Sequence, residues 1–498
     1  MAARRRPALA GSLLVTGALL LSGLVSGASA APAPASVPSS AAAGTSVVGA
    51  ERAVDLRDRI RALPRVSAVT EAEAPEGYRF FRIRFRQPVD HARPNGPSFA
   101  QRLTLLHRST TRPMVMFTSG YGVSTSPGRS EPTRIVDGNQ LSMEHRFFEP
   151  SRPARPDWPR QLTIEQAATD QHLVIRSFQR LYRKNWLTTG GSKGGMTATY
   201  HRRFFPGDVD GTIPYVAPND VVDRRDVYNA FLGRVGTSQA CRDAITEVQR
   251  RVLGRDRAWF YDRALQAAEE QGLTWRIVGN PEMAWESAVV DAYFAFWQYQ
   301  PESACADVPT ADTGLEDVYQ WFERVSSLTV YADQSIGGFT PYYYQATYQL
   351  GSPHPYENRL RDLLEFPGAD VASTFVPAGL KPIRHDAGAM PDIDRWVRTQ
   401  STRMLYVYGS NDPWSAEPFT CGKGAVAREC SRFSVAGGNH GASIAQLARP
   451  DQQKATMRVL DWAGLGPDDP ARRVVEEQGE PERRPALDRP DVRLLGVR

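Results

Sequence analysis

The sequence predicts an α/β fold: a largely parallel sheet core carrying an inserted, mostly helical cap. Three observations lead there. From Arg79 to Pro218, strand-like runs alternate with helical ones. Residues 219–395 then read as helices with aromatic-rich faces, and strand character returns only at Met404–Tyr408 and Arg432–Val435. Strand and helix in alternation imply parallel pairing with both faces of the sheet covered. A chain that leaves such a sheet and returns to it has room to build a cap between.

In order along the chain, Phe80–Phe85 reads as a strand and Arg102–His107 as its hairpin partner. Met114–Thr118 is an apolar run entering the turn Ser119-Gly120-Tyr121-Gly122, the pattern of a buried strand ending at a glycine loop. Asn139–Phe148 reads as another strand. Thr163-Ile164-Glu165-Gln166 is a capping-box pattern, and Ile164, Ala167, Ala168, Val174, Ile175, Phe178 and Leu181 repeat with the helical period. Trp186–Thr189 is a short strand running into Gly190-Gly191-Ser192-Lys193-Gly194-Gly195, then a helix to about Phe204 and a strand at Val209–Val216. The cap follows, with aromatic clusters at Trp259-Phe260-Tyr261 and at Tyr293, Phe294, Phe296 and Trp297. These boundaries give a first core segment over 51–218, a cap over 219–395 and a second core segment over 396–464.

The two ends differ from this body. Arg4–Arg6, the apolar stretch Leu13–Val25 and Ala28-Ser29-Ala30 form the three parts of a signal peptide over residues 1–30. The apolar stretch is short for a spanning helix, which needs about 20 residues. Residues 31–50 are uncharged and rich in Ala, Pro, Ser and Gly, as in a linker or pro-segment. From 465 to 498 prolines alternate with charges, a tail whose composition promises no part in a core. An exported chain is therefore expected, with no membrane association after cleavage. The formal charge of +5 falls to +2, 57 basic against 55 acidic side chains, once residues 1–30 are set aside. That balance excludes a dedicated nucleic-acid binder, which shows a clustered basic stripe.

Gly190-x-Ser192-x-Gly194 between a strand and a helix is the nucleophile-elbow pattern of α/β-hydrolases. The spacing has a physical cause, because strand and helix backbones nearly touch on either side of the serine and leave no room for side chains there. The amide of Lys193 is then the first oxyanion donor, and the loop after the preceding strand, at Tyr121, supplies the second. The Lys193 side chain, a cation opposing the helix dipole, reads either as solvated or as placed near substrate. In this fold the acid and the histidine follow the serine, each on a loop after a strand. Asp412, in Gly409-Ser410-Asn411-Asp412-Pro413-Trp414, and His440, in Gly437-Gly438-Asn439-His440-Gly441, meet that order. The other seven histidines (His91, His107, His145, His172, His201, His354 and His385) lie before the final strands or in the cap.

Four cysteines allow three pairings; the local choice is Cys421–Cys430 and Cys241–Cys305. No C-x-x-C and no H-E-x-x-H occurs, so neither a metal nor another cofactor is expected. In the cap helix, Glu286 and Asp291 read either as acids for a substrate ammonium or as partners of cap arginines. Tyr342-Tyr343-Tyr344 reads either as a stacking surface for proline or as packing.

Four segments together resemble the secreted bacterial prolyl tri- and tetrapeptidyl aminopeptidases, serine peptidase family 37. They are Gln140–Phe148, Thr189–Thr197, Asp210–Asn219 and Tyr408–Trp414. More distantly they are similar to the lysosomal prolyl carboxypeptidase and dipeptidyl peptidase family. The resemblance covers roughly residues 50–465. It implies an α/β-hydrolase core, a helical cap, and release of short peptides, often after proline, from substrates with free N-termini. A secreted esterase or lipase and a prolyl carboxypeptidase-like hydrolase remain as readings on the same fold. For the carboxypeptidase, Lys193 is the available cation for a substrate carboxylate.

Overall fold

The computed structural model describes residues 54–488. The signal peptide and linker expected over residues 1–50, and the last ten residues, lie outside them. The sheet has nine strands: β1 (Val66–Ala72), β2 (Arg79–Pro88), β3 (Ser98–His107), β4 (Met114–Thr118), β5 (Asn139–Met143), β6 (Trp186–Gly191), β7 (Gly211–Tyr215), β8 (Met404–Gly409) and β9 (Cys430–Val435). Their spatial order is β1-β2-β3-β5-β4-β6-β7-β8-β9. The pairs up to β3–β5 are antiparallel, and every pair from β5–β4 onward is parallel. All parallel strands therefore end at one edge, where ligands bind in open α/β sheets.

Burial follows position in the sheet. β5, β6 and β8 are buried at every residue, as strands covered on both faces must be. β1 is an outer strand with much of its length exposed, and its mixed residues Val66-Ser67-Ala68-Val69-Thr70-Glu71-Ala72 carry too little alternation to be read from sequence. The helices Ile164–Phe178 and Lys193–Phe204 and the C-terminal Arg449–Trp462 cover the faces. Between β7 and β8 the chain is helical, with Gln239–Leu253, Arg257–Gln271, Pro281–Tyr299 and Leu315–Val325 packed around buried Trp285, Tyr293 and Trp297. The disulfide Cys241–Cys305 ties this layer together, and Cys421–Cys430 closes the loop leading into β9.

Two expectations need correction. The strand expected over Asn139–Phe148 ends at Met143. Beyond it, Arg146 is fully buried and donates to both oxygens of Asp170 at 2.7 and 2.8 Å, while Glu144 pairs with Arg102 and Ser151. Buried charges must be paired, and these pairs take the backbone out of the ladder into a turn with Phe147 at φ 73°. The tail also packs on the core. Pro470–Gln478 is a helix whose Ala471 and Val475 join the cluster of Val459 and Leu460. Leu487 is buried against Tyr78, Phe80 and Leu106, and the largely buried pair Arg129–Asp488 closes at 2.6 Å. Average composition conceals this, because a few well-placed apolar residues and one ion pair suffice.

Candidate active site

The elbow serine sits where β6 meets the helix Lys193–Phe204, at φ 54° and ψ −129°. A non-glycine residue in that region is strained, and it is held by its amide donating to Tyr215 O at 2.9 Å. The flanking glycines are required sterically. A Cβ on Gly190 would lie 2.3 Å from Thr118 O, and one on Gly194 would lie 2.1 Å from the same atom.

Asp412 follows β8 and His440 follows β9. His440 Nδ1 lies 2.9 Å from Asp412 Oδ2. A carboxylate only accepts, so Nδ1 carries a hydrogen, which leaves Nε2 as the acceptor nitrogen of the neutral tautomer. That Nε2 is buried with no hydrogen-bond partner among the described residues. Asp412 is fully buried and accepts also from the Trp414 amide at 3.1 Å and the Ser415 hydroxyl at 3.0 Å, which fixes its plane. The histidine loop is tied to the cap helix Pro281–Tyr299: His440 N–H donates to Gln298 O at 3.0 Å and Asn439 Nδ2 to Tyr299 O at 2.8 Å.

Ser192 lines a cavity between sheet edge and cap, with Tyr121, Lys193, Phe294, Tyr299, Tyr342 and Trp414 among its walls. The Trp414 ring stands 6.5 Å from that of His440. Tyr342 and Tyr343 face this cavity, whereas Tyr344 packs on Trp158 at 5.1 Å. Lys193 is buried, not solvated: its Nζ donates to Gly120 O at 2.7 Å, and burial alone pushes it well below the usual lysine range. The Tyr121 amide expected to face the site donates instead to Ser119 Oγ at 3.0 Å, while its side chain lines the same cavity as Ser192.

The two cap acids separate cleanly. Glu286 is not a free acid: it accepts from Arg257 at 2.8 Å and from the amides of Glu365 and Phe366 at 2.9 and 2.7 Å. It ties the cap helix to the 365–366 loop and does not reach the cavity wall, so its expected role in amine binding is withdrawn. Asp291 does line the cavity, and beside it stands Asp370, which sequence reasoning missed. The Tyr331 hydroxyl donates to Asp370 at 3.2 Å. Burial raises both carboxyls, and the charge of Asp291 raises Asp370 further. Neither has an arginine, lysine or histidine within ion-pair distance among the described residues. Asp370, in Gly368-Ala369-Asp370-Val371, stands in no local motif; only the folded cap brings it to Asp291.

The family model for PS-10 peptidase S37 matches residues 49–492. A curated relative, the prolyl tri/tetrapeptidyl aminopeptidase of Streptomyces mobaraensis, is 50% identical over 414 residues, covering 83% of this chain and 86% of the relative. Solved structures are remote. Proline iminopeptidase from Mycobacterium smegmatis has 11% identity and a TM-score of 0.34 over 80% of this chain and 99% of that one. Homoserine O-acetyltransferase from Staphylococcus aureus has 12% identity and a TM-score of 0.33 over 80% and 94%. Likeness that distant says nothing about activity. The family match extends across the sheet, the elbow and the cap, the curated relative matches at 50% identity, and this chain belongs to the PS-10 peptidase S37 family.

Proposed function

We propose that this peptidase is exported and releases tri- or tetrapeptides, after proline, from free N-termini through an acyl-enzyme on Ser192. The observation that carries the reading is the acid pair Asp291–Asp370 facing the same cavity as the elbow serine, with no arginine, lysine or histidine within ion-pair distance of either acid among the described residues. An enzyme that counts residues from an N-terminus must hold the ammonium at a fixed distance from its nucleophile. Tyr299, Tyr342 and Tyr343 line the same cavity as Asp291, Asp370, Tyr121 and Ser192.

In this mechanism His440 Nε2 takes the Ser192 proton as Oγ attacks the prolyl carbonyl, and the Lys193 amide donates to the oxygen as it gains charge. Asp412 holds the imidazole in the required tautomer and stabilises its cation. His440 then protonates the leaving amine, and a water activated by the same nitrogen frees the peptide. The two disulfides and the composition of residues 1–30 support export. A panel of chromogenic substrates tests the reading: tripeptides ending in proline with free and with acetylated N-termini, and short acyl esters. Free-amine tripeptides should lead by at least about tenfold in kcat/KM, the equivalent of roughly 1.4 kcal/mol. A lead for acyl esters or for blocked peptides would transfer the chain to another reading.

A further inference from the structure

We infer that the phenol of Tyr121, and not its amide, is the second oxyanion donor at Ser192, and that Lys193 is a positioning residue that holds it in place. The inference rests on the serine-peptidase reading above. Its starting point is the backbone of the turn after β4. The Tyr121 amide donates to Ser119 Oγ at 3.0 Å, and that hydroxyl donates onward to Gly122 O at 2.6 Å. The Tyr121 carbonyl accepts from the His145 amide at 2.8 Å. The main chain of Tyr121 is thus committed at both ends within its own loop.

The phenol is differently placed. It lines the same cavity as Ser192, and the serine side chain acts on it electrostatically. Its ring is held on three sides by Phe148, Phe339 and Tyr342, with centroids at 5.6, 5.7 and 5.7 Å. A rotor so confined keeps its hydroxyl in the cavity where the carbonyl oxygen of a peptide bound at Ser192 becomes negative. Burial keeps the phenol protonated well beyond its ordinary range, so it remains a donor there.

Lys193 fixes the other end. Its Nζ donates to Gly120 O at 2.7 Å and lies 5.5 Å from the centroid of the Tyr121 ring and 5.6 Å from that of Phe148. No carboxylate pairs with it among the described residues, and burial favours its uncharged amine. One residue thereby gives its amide to the elbow and its side chain to the loop that carries the second donor. In the addition step Oγ bonds the carbonyl carbon, the C=O π pair moves to oxygen, and His440 holds the serine proton. The phenol donates a hydrogen bond and transfers no proton. When the intermediate collapses, the pair returns to the carbonyl, the C–N bond breaks and the proton passes from His440 to the leaving amine.

The test is Tyr121→Phe, which deletes one oxygen, beside Ser192→Ala, on a free-amine tripeptide chromogen. Loss of one oxyanion donor should lower kcat about 10²–10³-fold, with KM within about threefold. Affinity for a tripeptidyl boronate, a tetrahedral analogue, should weaken by a comparable factor while inhibition by the product tripeptide is unchanged. Lys193→Met, which keeps the phenol and unpins its loop, should show the same split between analogue and product at about tenfold. A Tyr121→Phe enzyme within threefold of wild type in kcat, or one that weakens analogue and product equally, overturns the phenol as donor. Equal weakening in Lys193→Met overturns the positioning role. Full activity in Ser192→Ala would instead remove the underlying serine mechanism, and the inference with it.

Discussion

Replacing Asp291 by Asn keeps the shape of the cavity wall and removes one charge. The two acids line one cavity, the Tyr331 hydroxyl donates to Asp370, and burial holds both toward their neutral forms. A substrate ammonium changes that balance, because it supplies the counter-charge that no described arginine or lysine provides. A charge-assisted hydrogen bond of this kind is worth roughly 1.5–3 kcal/mol, or about 10–150-fold in kcat/KM. Asp370 remains beside the mutated position, so Asp291→Asn should fall at the lower end, about 10–30-fold, and the double variant with Asp370→Asn further. The assay is a cycle of two enzymes and two substrates, the tripeptide chromogen with free and with acetylated amine. The blocked peptide has no ammonium to lose, so its kcat/KM should move less than about threefold. The gap between the substrates should therefore narrow in the variant. Equal losses on both substrates would show that Asp291 shapes the cap and does not bind the amine, and would refute the anchor.

Other outcomes follow from the same geometry. Ser192→Ala and His440→Ala should each lose about 10⁶ in kcat, since the two act as one unit, and Asp412→Asn about 10⁴ through the wrong tautomer; an indispensable His145 or His385 in place of His440 would contradict the assignment. Glu286→Gln removes one of three carboxylates around Arg257 and weakens the bonds to the 365–366 amides, so it should cost about 1–3 kcal/mol of stability while leaving the free-to-blocked ratio unchanged; thermal melting and the substrate pair separate the two effects. His107 is held down to about 4 by burial beside Tyr182. Below the unfolded value of about 6.5 the unfolded chain takes up a proton that the folded one refuses, so stability is lost as pH falls from 6.5 toward 4. His107→Gln should flatten that part of the melting-temperature curve; parallel curves for variant and wild type would exclude the contribution.

The sheet and the elbow were legible in sequence for physical reasons. Strands buried on both faces are continuous apolar runs, as in Met114–Thr118, and an elbow demands glycines wherever a Cβ would meet Thr118 O. The order of Asp412 and His440 after Ser192 follows from successive parallel strands ending at one edge. Long-range pairing was not legible. Arg146 meets Asp170, Glu286 meets Arg257, and Asp370 meets Asp291 only because the fold brings distant segments together. The donor atom of Tyr121 was hidden for a related reason: the choice between amide and phenol depends on the Ser119 hydroxyl and the Lys193 amine, whose positions no spacing specifies. The tail escaped because one leucine and one ion pair, Leu487 and Arg129–Asp488, decide its packing against an average composition that says otherwise.

The most direct test of the central claim is to trap the acyl-enzyme. A free-amine tripeptidyl ester ending in proline is mixed with enzyme, quenched in acid within the first turnover, and the protein is digested and mapped by mass spectrometry. The account predicts a tripeptidyl adduct on Ser192, bearing a free amine, and at least about tenfold less adduct from the N-acetylated ester at equal concentration. An adduct on another residue, no adduct during a demonstrated burst, or equal acylation by both esters would contradict it.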